Sequence, residues 1–148
     1  MIRTMMRDFT INNGDIDGAI DIMREVALWC EATGKNMWRM EQLSKEVLLN
    51  GLTAENFYIG KIGSKNAAAM ILQWYDPLFW PELHEGESGF VHKLCVRRKY
   101  SGQGLSQRMI ARAIEECKAR GIHYLRLDTG WHRPRLCELY ESLGFVKV

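Results

Sequence analysis

The chain has 148 residues, 47% of them apolar and 26% charged, with 20 basic and 18 acidic side chains giving a net charge of +2. That length suits one domain, residues 1–148, around one core that buries roughly two-thirds of the surface the unfolded chain would expose. The composition excludes a disordered chain, and the mixing of both charge signs along the sequence gives no basis for a nucleic-acid partner.

No apolar run approaches the ~20 residues that span a bilayer, and "MIRTMMRDFT" lacks the apolar stretch of a signal peptide, so a cytoplasmic protein without a membrane partner is expected. Cys30, Cys95, Cys117 and Cys137 form no CxxC pair, and no histidine stands at zinc-finger spacing. Reduced thiols and no metal site are expected.

In chain order, a first strand is expected near Ile2 to Thr10. Apolar residues at Ile16, Ile20, Met23, Ala27 and Cys30 then have the spacing of an amphipathic helix ending at "ATGK". A second helix with Met40, Leu43 and Val47 on one side is closed by Asn50 and Gly51. "NFYIGKIG" and "NAAAMILQWY" read as an antiparallel hairpin with its turn at "SKN". An acidic, aromatic loop from Asp76 to Gly89 follows, with Pro77 and Pro81, and "FVHKLCV" is the fourth strand.

After the basic cluster Arg97, Arg98 and Lys99 comes "YSGQGLSQRM", then a helix with Leu105, Met109, Ala113 and Cys117 at intervals of four, stopping at Gly121. Lys118 and Arg120 in its last turn suit the helix dipole. "HYLRLD" is a fifth strand, so the fourth and fifth strands form a βαβ unit and should run parallel. "RPRLCELYESLG" is a last helix and "FVKV" a final strand, which completes a mixed, mostly antiparallel α/β sheet.

The glycine corner between the fourth strand and its helix admits several readings. In a dinucleotide fingerprint Gly102 and Gly104 would hold the first two positions and Asp128 the ribose acid, but Gln107 stands where the third glycine belongs, and the unit starts too late for a doubly wound sheet. A Walker loop fails because no Gly-Lys precedes a serine or threonine. A tight turn explains one glycine. Two glycines and Ser106 at alternate positions leave backbone N–H groups uncovered at a helix N-terminus, which suits a pyrophosphate.

"LCVRRKYSGQGLSQRMI", with "LRLDT" and "LCELYESLGF" downstream, resembles the acetyl-CoA-binding core of the GCN5-related N-acetyltransferase (GNAT) superfamily over about Phe90 to Phe145. That family's Q/RxxGxG/A loop falls on Ser101 to Ser106, with Gly104 matching its glycine, Ser101 departing from the usual Arg or Gln, and Arg133 standing where Asn is common. The resemblance implies the acyl-CoA N-acyltransferase fold. It also implies acetyl-CoA as donor, held by the backbone of Leu94, Cys95 and Val96 along the pantetheine and by amides of Gly102, Gln103, Gly104, Leu105, Ser106 and Gln107 at the pyrophosphate. Arg97, Arg98 and Lys99 would attract the adenosine phosphates.

The implied reaction is direct transfer of acetyl to a primary amine in a ternary complex, without metal. Tyr140 matches the family tyrosine that protonates the leaving thiolate. For the base, His92 stands two residues before Leu94, so period 2 predicts both side chains on one face, and its unperturbed pKa of about 6.5 suits accepting a proton. Asp76, Glu82, His84, Glu85 and Glu87 in the preceding loop compete for that role. Four carboxylates there, with Trp74, Tyr75, Phe79 and Trp80, would cage a small cationic amine acceptor. A CoA-responsive binding module without turnover is the alternative, and the short "FVKV" end leaves room for a homodimer.

Overall fold

The computed structural model describes residues 8–35, 38–77 and 81–127. The five strands β1 (Phe9–Asn13), β2 (Phe57–Ile62), β3 (Lys65–Gln73), β4 (Ser88–Val96) and β5 (Tyr124–Leu127) lie side by side in chain order. The first three junctions are antiparallel and β4 pairs parallel with β5, as a strand–helix–strand crossover requires. Six consecutive residues of β3, Ala67 to Leu72, are buried because helices cover both faces of the sheet, which explains an apolar run without alternation.

Helix α1 (Ile16–Ala32) starts where Asp15 accepts a hydrogen bond from the Gly18 N–H at 2.9 Å, and it buries Ile20, Met23, Ala27 and Cys30 on one side of the sheet. Helix α3 (Leu105–Ala119) buries Leu105, Met109, Ala113 and Cys117 on the other. Both follow the predicted spacing.

The second helix does not form as one piece. A 3₁₀ turn at Met40–Leu43 is followed by Ser44 in extended conformation, whose side chain accepts from the Val47 N–H and starts α2 (Lys45–Leu48) afresh. The restart rotates the pattern, so that Leu43 and Leu48 are buried while Val47 is 53% exposed. The hairpin turn falls on Gly63 and Ser64, one residue ahead of "SKN", and β4 begins at Ser88, two residues earlier than expected. β1 runs to Asn13; the expected last helix and final strand lie outside the described residues. No helix among the described residues is long and apolar enough to cross a membrane.

Glu116 ties α3 to the sheet. It accepts hydrogen bonds from Arg120 Nη1 at 3.1 Å, Arg112 Nε at 3.3 Å and the Tyr58 hydroxyl at 3.4 Å, while Arg112 Nη1 reaches the Ile11 carbonyl at 2.9 Å. Partial burial opposes ionisation of Glu116, but the hydrogen bonds from the two arginines outweigh it and hold the carboxyl below its ordinary range. A carboxyl depressed in the folded state adds stability above its unfolded pKa and loses it as the pH falls through the folded value. Glu116→Gln should therefore lower the urea midpoint at pH 7 and narrow the gap to the parent at acid pH. An equal loss at both pH values would contradict this account.

Candidate active site

The site is organised by an irregularity in β4. Its register against β3 runs Ile71 with His92 but Ala69 with Cys95, so two residues of β4, Lys93 and Leu94, stand against Met70. Lys93 takes up the extra length with φ at +56°, in the left-handed region that a lysine adopts only under constraint. Its ammonium lies 5.5 Å from the Trp38 ring centroid.

This bulge reverses the strand's parity and corrects one sequence expectation. Leu94 sits in the core cluster under α3, whereas His92 lies opposite Ile71, which belongs to the cluster under α1. Directly paired residues share a face, so His92 and Leu94 point to opposite sides of the sheet. On the α1 side His92 meets Asp76, with Nε2 2.7 Å from Asp76 Oδ2. Asp76 is 3% exposed. The contact joins a ring nitrogen to a carboxylate oxygen and fixes the orientation of the imidazole.

The loop after Asp76 is resolved into separate parts. Glu82, His84, Glu85 and Glu87 are exposed, and of the competing loop residues only Asp76 is buried. Trp74 does not join an acceptor cage: it packs against the α3-side cluster, with the Arg120 guanidinium 4.2 Å from its ring centroid. Phe79, Trp80 and Tyr140 lie outside the described residues.

Beyond the bulge, the Arg97 N–H donates to the Ala67 carbonyl at 2.8 Å. By the alternation of an antiparallel ladder, Cys95 turns its polar backbone groups toward β3, and Val96 turns its own to the opposite side. A 3₁₀ turn at Arg98–Tyr100 then leads to Gly102 and Gly104, with φ of +78° and +74°. Gly104 is the N-cap of α3, and no side chain caps that end, so the first amides of the helix depend on another acceptor. Leu105 is buried and anchors this turn, and Gln107 folds back over Gly104. The three basic residues before the corner diverge: Arg97 approaches Glu25, Arg98 stacks 4.1 Å from the Trp29 ring centroid, and Lys99 is exposed.

The end of β4 thus turns the polar groups of Val96 away from β3 and leads into a glycine corner without a side-chain cap. The sequence profile of the Acetyltransferase (GNAT) family matches residues 21–145. This chain belongs to the GNAT family. Membership makes it an acetyl-CoA-dependent N-acetyltransferase. Relatives include the uncharacterized N-acetyltransferase YesJ of Bacillus subtilis, 24% identical over 143 residues, covering 88% of this chain and 76% of YesJ. The N-alpha-acetyltransferase 30 of Schizosaccharomyces pombe is 26% identical over 68 residues, 45% of either chain. Among solved structures, a GNAT-family acetyltransferase of Listeria monocytogenes shares the fold with a TM-score of 0.73 at 20% identity, over 95% of this chain and 87% of that one. A predicted acetyltransferase of Clostridium acetobutylicum, crystallised with acetyl-CoA, gives 0.61 at 20% identity over 95% and 91%.

Sequence reasoning placed Asp76 among several loop acids without joining it to His92, and it did not see the bulge, because a lysine carries no signal for a left-handed backbone. Cys95 is chemically quiet. Burial pushes its thiol well above the ordinary cysteine range, and Cys117 is shifted the same way by burial. A thiol reagent at pH 8 should leave Cys95 unmodified in the native protein and modify it once urea is added, as read by mass spectrometry of the peptide. Rapid labelling of native Cys95 would show that the strand opens.

Proposed function

We propose that this N-acetyltransferase moves the acetyl group of acetyl-CoA to a primary amine of a small molecule, by direct attack within a ternary complex. The observation that carries the reading is the His92–Asp76 pair, held at 2.7 Å on the α1 face of β4 just before the bulge. Asp76 orients the ring, and the imidazole takes the proton that an ammonium must lose before its nitrogen can attack. The amine nitrogen then bonds to the thioester carbon while a backbone N–H of β4 stabilises the oxyanion; the C–S bond breaks as Tyr140 gives its proton to the leaving sulfur, and the nitrogen sheds its second proton, which restores the tyrosine hydroxyl and leaves the amide.

Donor binding falls to the backbone. Val96, with Leu94 and Cys95 beside it, lies along the pantetheine, while the amides from Gly102 through Gln103, Gly104, Leu105 and Ser106 to Gln107 face the pyrophosphate at the helix N-terminus. A small cationic acceptor is favoured because the exposed Glu82, Glu85 and Glu87 of the loop after Asp76 offer it charge.

An amine panel with acetyl-CoA, followed by release of free thiol, tests the assignment. Turnover on small primary amines is expected, and turnover confined to peptide N-termini would overturn the acceptor class. His92→Gln should lower kcat by about a hundredfold. Tyr140→Phe should lower kcat with the KM for acetyl-CoA unchanged. Undiminished kcat in either variant removes that residue from the mechanism.

Gly104→Val tests the cradle. A β-carbon there would lie 2.8 Å from Gln107 Oε1, and a branched side chain strains a backbone with φ of +74°. The KM for acetyl-CoA should rise by about tenfold or more. An unchanged KM would mean that the corner does not hold the donor.

A further inference from the structure

A cavity of about 510 Å³ opens at the turn end of the β2–β3 hairpin, lined by Lys61, Lys65, Arg97 and Lys99 together with Ser64 and Asn66. Against these four cations it holds one carboxylate, that of Glu25. An adjoining cavity of about 390 Å³ shares Ser64, Lys65 and Lys99 and extends toward Asp8.

Backbone irregularity builds this place as it builds the active site. The β2–β3 register slips between Gly60 and Lys61, leaving Ala67 as an extra residue of β3. Such a slip re-aims the flanking side chains, here Lys61 and Asn66, which pair across the hairpin. The carbonyl of the same Ala67 accepts from the Arg97 N–H, which draws the end of β4 and its guanidinium up to the turn. Arg97 Nε is shielded from solvent and makes no hydrogen bond. Glu25 Oε2 stands 3.5 Å away, close enough to attract it and outside hydrogen-bond geometry.

We infer that this cavity binds the phosphate group of a small phosphorylated molecule. A dianion relieves the mutual repulsion of four cations that one carboxylate leaves uncompensated, and it offers acceptors to the shielded Arg97 N–H, to the lysine ammonium groups and to Ser64 and Asn66. Two sources share this chemistry. One is the 3′-phosphate of the donor, which rests on the proposed placement of acetyl-CoA at Gly102 and Gly104; the other is a separate phosphorylated metabolite.

The test titrates the protein with inorganic phosphate at fixed ionic strength while 3′-dephospho-coenzyme A is saturating, and follows the melting temperature. Phosphate should stabilise the wild type. In Lys61→Gln/Lys65→Gln the concentration giving half the shift should rise about tenfold. Lys45→Gln/Lys118→Gln, which removes the same charge from outside the cavity, should match the wild type. Absence of any response in the wild type, or equal weakening in both double variants, overturns the site. Repeating the titration with coenzyme A separates the sources: loss of the phosphate response assigns the cavity to the donor's own 3′-phosphate, and its persistence assigns it to a second molecule. The readout is phosphate binding, so failure of the acetyl-transfer reading would appear in the turnover assays and leave this result interpretable.

Discussion

One extra residue in β4 governs how this molecule is arranged. A regular strand would place His92 and Leu94 on one face, and the core would have to accept an imidazole or lose a leucine. With Lys93 in the left-handed region the strand satisfies both sides, giving Leu94 to the cluster under α3 and His92 to the α1 side where Asp76 meets it. A non-glycine residue in that conformation costs about 1–2 kcal/mol. Burial of Leu94 contributes about as much or more in the opposite sense, and the Lys93–Trp38 contact adds about 0.5–1 kcal/mol. The strain is thus held by packing on both faces, which is why it persists without a glycine.

The same bulge separates two uses of one strand. Upstream, Ser88 to Val91 pair with β5 and close the sheet. Downstream, Cys95 and Arg97 face β3, Val96 faces away, and the chain passes within eight residues to the uncapped start of α3. A donor lying along this path would meet backbone groups almost throughout. Its binding would then depend on conformation more than on side-chain identity, so that a serine at position 101 would suffice where the family pattern has Arg or Gln.

Features governed by local periodicity were legible in the sequence. The buried faces of α1 and α3 follow apolar spacing, the hairpin follows two β-rich runs around Gly63, and the parallel β4–β5 pair follows from a helix between strands. What escaped depends on breaks in periodicity. Ser44 restarts a helix whose apolar positions read as continuous, and Lys93 shifts a strand whose residues still alternate on paper. Trp74 could be placed in an aromatic loop from sequence, but which way it turned was decided by Arg120, which follows it by 46 positions. Asp76 was indistinguishable from its acidic neighbours until the fold buried it alone among them.

Net charge concealed a further ordering. β3 and β4 run antiparallel, so the hairpin turn of β3 and the end of β4 bring Lys61, Lys65, Arg97 and Lys99 together, while the opposite ends lead into the loop bearing Asp76, Glu82, Glu85 and Glu87. From end to end, the nine residues of β3 span about 27–30 Å. At physiological salt the Debye length is about 8 Å, so the two ends do not cancel and each acts on its own surroundings. Under the proposed function, a phosphorylated donor would be drawn to the basic end of the strands and a cationic amine to the acidic end, with the bulge of β4 between them. A balance of +2 over the whole chain is therefore compatible with strong local fields, provided the fold sorts charges that the sequence leaves mixed.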